Sequence, residues 1–157
     1  MGTEALSLMA LADRMAIQDT LTRYATALDA HNLKLFEEVF AEDAILDYRS
    51  AGGVRGNYRE VRDWLQESMA VFCSWQHLLS NMVITIEGDS ASARTDVYNP
   101  LAYKDENGVM AVVHVGAYYM DRLIRMPAGW RISERTLGMV WVDGSRPARV
   151  PIQQLSR

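Results

Sequence analysis

A histidine, an aspartate and a tyrosine are the residues of this chain best suited to chemistry. His77 stands in Trp75-Gln76-His77-Leu78-Leu79-Ser80-Asn81, just ahead of an apolar run that reads as a strand. Far upstream, Tyr24-Ala-Thr-Ala-Leu-Asp29 closes an amphipathic helix. Histidine titrates near neutrality, so a neutral imidazole is available at physiological pH to take a proton. A carboxylate on its other ring nitrogen fixes the tautomer and stabilises the imidazolium that forms. Brought into one pocket, such a pair moves protons without a cofactor. A hydroxyl from Tyr24 or Tyr48 would polarise a carbonyl or protonate a leaving group. Asp29, His77 and Tyr24 are therefore the candidate catalytic residues. His31, His77 and His114 show no H-x-H or H-x-x-x-H spacing, so no metal site is expected.

Helices come first in the chain and strands dominate afterwards. Ile17, Leu21, Tyr24 and Leu28 recur at helical spacing, with Arg14, Gln18 and Arg23 left for solvent. That helix is expected to stop near Asp29-Ala30-His31-Asn32, and a shorter one carries Leu33, Phe36, Val39 and Phe40. A first strand is read over 43–48. After a glycine-rich loop, Asn57 with Glu60 three residues on signals a capping box for a third helix, whose core stripe is Val61, Trp64, Leu65 and Met69. From residue 75 the period switches to two, with strands expected near 76–87, 91–103, 110–124 and 130–142. Gly88-Asp89, Glu106-Asn107-Gly108 and Pro127-Ala128-Gly129 mark the hairpin turns. Three helices before an antiparallel meander make an α+β domain over 1–142, followed by an arm or tail over 143–157. A strongly curved sheet wrapped round the first helix would close a cone with an apolar, dead-end pocket.

Each candidate residue also has an ordinary reading. Asp29 suits the cap of the short second helix. Five residues from Tyr24, it would point about 140° away on a continuous helix, so both face one cavity only if the helix ends first. Strict alternation groups His77 with Leu79, Asn81 and Val83, opposite the greasier Leu78, Met82, Ile84 and Ile86. An inward His77 therefore needs a bulge near Ser80. Tyr48, Tyr98 and Tyr118, together with Tyr24, recur where they could line a cone, and suit a flat ligand. His114 could line it too, or be a satisfied core histidine. Cys73 reads as a buried, inert thiol.

Composition bounds the possibilities. The 157 residues are 49% hydrophobic and 23% charged, which suits a soluble globular protein, and long enough to bury about 70% of the unfolded surface. A net charge of −4 and a pI of about 5.3 offer no field for nucleic acid or an anionic membrane. A single cysteine excludes an intramolecular disulfide and suits the cytoplasm. No basic segment precedes Leu6 to Leu11, so no secretory signal is expected, and no apolar run has the length of a membrane span.

A family resemblance rests on particular segments. Leu11 to Asp29, Phe40-Ala-Glu-Asp43-Ala, Gly56, His77 with Asn81, Gly88-Asp89-Ser-Ala and Gly129-Trp130-Arg131-Ile resemble the SnoaL-like proteins of the NTF2-like superfamily. The likeness spans roughly residues 8 to 142. Within the superfamily the chain is most similar in pattern to scytalone dehydratase, bile-acid 7α-dehydratase and hexachlorocyclohexane dehydrochlorinase. The resemblance implies elimination by an Asp–His pair without cofactor, with those roles on Asp29 and His77, a tyrosine at Tyr24 and an active-site arginine at Arg135. It further implies a cone fold, a small cyclic or aromatic hydroxylated substrate and a homo-oligomer, trimeric or dimeric. Binding of a small ligand without catalysis, and cyclisation or isomerisation in the same pocket, are the rival implications. Tyr48 stands where ketosteroid isomerases carry their carboxylate base, which counts against isomerisation. Tyr98-Asn99-Pro100 stands where scytalone dehydratase carries a second histidine, which counts against that substrate.

Overall fold

A computed structural model describes residues 7–145 and 147. Helix α1 (Leu8–Asp29) starts at Ser7, whose hydroxyl accepts the Ala10 N–H at 3.1 Å. Its buried stripe is Ile17, Leu21, Tyr24, Ala25 and Leu28, as the helical spacing implies. The short second helix is a 3-10 turn over Leu33–Glu38. Strand β1 (Phe40–Asp47) leads through a second 3-10 turn (Arg49–Ala51) to β2 (Arg55–Asn57). Helix α2 (Tyr58–Met69) has the capping box expected: the Asn57 side chain accepts from Glu60 N–H while the Glu60 carboxylate accepts from Asn57 N–H.

The sheet comprises β1, β2, β3 (Ser74–Trp75), β4 (Leu78–Glu87), β5 (Ser90–Lys104), β6 (Met110–Met126) and β7 (Gly129–Asp143). Its order is β2-β1-β7-β6-β5-β3, with β4 also pairing β5. The helices pack into this curved open sheet, giving the α+β cone. One pair departs from the antiparallel expectation. β1 runs parallel to β7, because the meander β4–β7 brings its last strand back beside the first in the same direction. β2 and β3, of three and two residues, are too short to show a period in the sequence. The arm expected over 143–157 lies, apart from residues 143–145 and 147, outside the described residues, as does the N-terminal segment 1–6.

Two corrections concern local placement. Cys73 is exposed rather than buried, because the chain leaves α2 there and only its N–H is engaged, donating to the Ala102 carbonyl at 2.7 Å. α1 stops at its C-cap Ala30, within the stretch expected, but Asp29 lies on the helix rather than beyond its end. No helix among the described residues is long and apolar enough to cross a membrane.

Candidate active site

His77 lies in the gap between the two-residue β3 and the longer β4, which both pair with β5. What turns it inward is an extra residue. Ser80 pairs with Asp96 but Val83 with Arg94, so three steps on β4 match two on β5. Asn81 takes up the difference with φ of 47°, a left-handed conformation that asparagine tolerates better than most residues. Below the bulge Ile84 points into the core, and above it His77 does. The ring is further held by its neighbours. Trp75 Nε1–H donates to the Leu28 carbonyl at 3.1 Å, tying β3 to the end of α1.

Asp29 meets His77 from behind. Its Oδ1 lies 2.7 Å from His77 Nδ1, and its Oδ2 accepts the His77 backbone N–H at 2.9 Å. The carboxylate can only accept, so in the neutral form of the ring Nδ1 carries the proton and Nε2 keeps its lone pair. The His77 side chain is 5% exposed and that of Asp29 27%. Asp29 is therefore not a cavity residue, and the 140° between it and Tyr24 is no obstacle: Tyr24 faces the cavity while Asp29 reaches the far side of the ring. Nor does Asp29 cap the second helix, whose N-cap is Asn32.

The cavity that His77 lines holds about 110 Å³ and is apolar over most of its wall, with Leu28, Trp64, Met69, Phe72 and Val115 among its lining. Opposite kinds of polar group enter it. Tyr24 and Tyr48 share a hydrogen bond of 2.5 Å between their hydroxyls, and Tyr119 joins them. Burial pushes the Tyr24 phenol well above its usual range, reinforced by Tyr119 and Tyr48; burial likewise raises Tyr48 and Tyr119. All three stay protonated and can donate. Behind them Arg135 is fully buried, its guanidinium 4.1 Å from the Tyr24 ring centroid and 4.0 Å from that of Tyr119. Asp121 binds it through two hydrogen bonds of 2.7 and 2.9 Å. Burial opposes the Arg135 charge, but the Asp121 carboxylate outweighs it and holds the guanidinium protonated.

Of the expected residues, Tyr24, Tyr48 and His77 line one cavity, with Asp29 bonded to His77. Besides Asp29, four do not line it. Tyr98, His114 and Tyr118 occupy the outer face of the sheet, where Tyr98 Oη lies 2.7 Å from His114 Nδ1 and Arg94 stacks on Tyr118 at 4.7 Å. The physical reason is strand parity: on β6 the odd positions Val113, Val115, Ala117 and Tyr119 are buried, leaving the even ones outside. Tyr118 is also committed there by Gly138, where any Cβ would collide with its ring. Arg135 sits behind the tyrosines rather than against the ligand space.

The residues missed are Tyr119 and Asn99. Both fall in the apolar register of their strands, Asn99 between Val97 and Leu101 on β5, which was the available signal. Asn99 Nδ2 lies 3.1 Å from His77 Nε2, whereas its Oδ1 is buried without a hydrogen-bond partner.

Comparison with known proteins agrees with this architecture. The chain is 35% identical over 130 residues to the uncharacterized protein Rv2910c of Mycobacterium tuberculosis, covering 83% of this chain and 87% of that one. A proposed scytalone dehydratase from Novosphingobium aromaticivorans superposes with a TM-score of 0.74 at 20% identity, over 93% of this chain and 97% of that one. A hexachlorocyclohexane dehydrochlorinase, LinA type 2, gives 0.73 at 17% identity, over 87% and 90%. These two likenesses show the NTF2-like cone, not the activity. Residues 9–136 match the model of the SnoaL-like domain, and with the cone, the cavity and the mycobacterial relative in hand, the chain belongs to the SnoaL-like family.

Proposed function

We propose that the protein is a cofactor-independent lyase that dehydrates a small cyclic or aromatic hydroxylated compound. The observation that carries this reading is the Asp29–His77 pair at 2.7 Å, with the ring set in the wall of an apolar cavity that also holds three neutral tyrosines. His77 Nε2 takes a proton from the carbon next to a carbonyl. The C–H electron pair forms the double bond as the C–O bond breaks, and the departing hydroxide takes the proton back from the imidazolium and leaves as water. Asp29 holds the ring and balances its transient charge. The Tyr24–Tyr48 pair donates to the carbonyl oxygen, where negative charge grows, and the buried Arg135 behind it favours that charge. Proton transfer of this kind contributes roughly 10²- to 10⁴-fold, and placement in the cavity adds to it.

The test is a screen of small cyclic β-hydroxy ketones, followed by loss of substrate and appearance of the conjugated product in the ultraviolet. Asp29→Asn and His77→Ala should each abolish turnover while circular dichroism shows an intact fold. Full turnover in either variant rejects the mechanism. A ring-closed or double-bond-shifted product in place of water loss would move the same site to cyclisation or isomerisation.

A further inference from the structure

Asn99 presents two facts that belong together. Its amide N–H caps His77 Nε2, the nitrogen that the proposed reaction uses, and its carbonyl Oδ1 is buried with no partner. A buried acceptor without a donor forfeits its solvation, so the arrangement is not one that packing alone would favour. We infer that Asn99 is a positioning residue whose side-chain amide turns over with the protonation state of His77. This rests on the reading of His77 as the base.

Donor and acceptor count sets which end of the amide faces the ring. With Nδ1–H given to Asp29, neutral His77 offers only a lone pair at Nε2, and only the amide NH₂ can satisfy it. Once Nε2 takes a proton, two donors face each other. Rotation of the amide by about 180° places Oδ1 on Nε2–H, replacing that repulsion with a charge-assisted hydrogen bond. The same turn gives the orphaned carbonyl its donor. Thus Asn99 covers the base before the carbon acid enters, moves aside for it, and steadies the imidazolium until the proton is returned.

The surroundings leave this pair isolated. Asp29 of α1 is the charged group on the ring, and Tyr24, Tyr48 and Tyr119 are the titratable groups across the cavity. α2 contributes Trp64, Leu65, Ser68 and Met69 to the same cavity, none of them charged. β5 brings Val97, Asn99 and Leu101, and β7 brings Leu137 and Met139. No other charged side chain among the described cavity residues is placed to drive the turn.

Nuclear magnetic resonance on the labelled full chain tests it. At alkaline pH the His77 ring nitrogens should report Nδ1–H with a bare Nε2, and scalar coupling should connect Nε2 to the Asn99 side-chain nitrogen. As the ring takes its proton, that coupling should vanish and a new one should connect Nε2 to the Asn99 carbonyl carbon, both changes sharing one midpoint. Asn99→Leu should lose both couplings while the Nδ1 contact to Asp29 persists. A coupling to the amide nitrogen that survives protonation, or no coupling in either state, overturns the inference. The dehydratase reading fails separately: if the amide turns but His77→Ala retains full turnover, Asn99 tracks a ring that is not the base.

Discussion

At the scale of single residues, the tyrosine cluster makes the sharpest demands. Tyr24→Phe leaves the Tyr48 hydroxyl buried without its 2.5 Å partner, and should cost about 1–3 kcal/mol in urea denaturation. Turnover on a hydroxy ketone should fall more steeply than stability, because the lost hydroxyl also served the oxyanion. The pH dependence has a definite sign. Burial raises Tyr24, Tyr48 and Tyr119 above the ordinary phenol value of 10.0, so the folded chain keeps protons that the unfolded chain releases. Stability from these groups is complete below about pH 10 and is lost as pH rises beyond it. Absorbance near 295 nm should therefore show three of the seven tyrosines ionising only as the fold is lost. Ionisation of all seven with the fold intact would contradict their burial. The residue types were legible in sequence for Tyr24, Asp29, His77 and Tyr48. For Asn99 the register with Val97 and Leu101 marks a buried strand face, but nothing in that spacing says that an amide there meets a histidine.

At the scale of elements, two irregularities in the sheet decide which side chains enter the cone. The bulge at Asn81 is the first. Asn81→Gly should keep or improve thermal stability, whereas Asn81→Val, a β-branched residue forced to positive φ, should cost about 1–3 kcal/mol. Asn81→Val should also lower turnover, since straightening the strand drives His77 toward the outer face. The second irregularity lies between Leu123 and Arg122 on β6, opposite Ile132 and Glu134 on β7, and it brings Arg135 inside beside Leu137. There Arg135 pairs directly with Asp121 across the two strands. Asp121→Ala, which leaves the guanidinium uncompensated, should cost about 3–5 kcal/mol by chemical denaturation. The double variant Asp121→Leu with Arg135→Met should recover most of that loss without restoring activity. Failure of the double variant to regain stability would show the ion pair to be more than a compensated burial. Helix boundaries and hairpin turns were readable because caps and Gly-containing turns act locally. A bulge offers no such signal, since it exists only relative to the partner strand.

At the scale of the whole molecule, the sheet keeps Val83, Met120, Val140 and Trp141 exposed on the side away from the helices. The homo-oligomer implied by the family resemblance remains a proposal, and this outer face is where it would form. Size-exclusion chromatography with light scattering should show a dimer or trimer, reduced to monomer by Met120→Asp with Val140→Asp; a monomeric wild type rejects it. By itself, the sequence determined the helical stripe of α1, the capping box of α2, the strand meander and the family, and so the existence of a cone with an apolar interior. These follow from periodicity and local hydrogen bonding, which short stretches of chain settle alone. Only the tertiary structure decided which alternate residues face inward. It placed Tyr119 and Asn99 at the cavity, sent Tyr98, His114 and Tyr118 outside, and set Asp29 behind the His77 ring. Strand parity is an all-or-none choice fixed by pairing and by one-residue bulges, and pairing joins residues far apart in the chain.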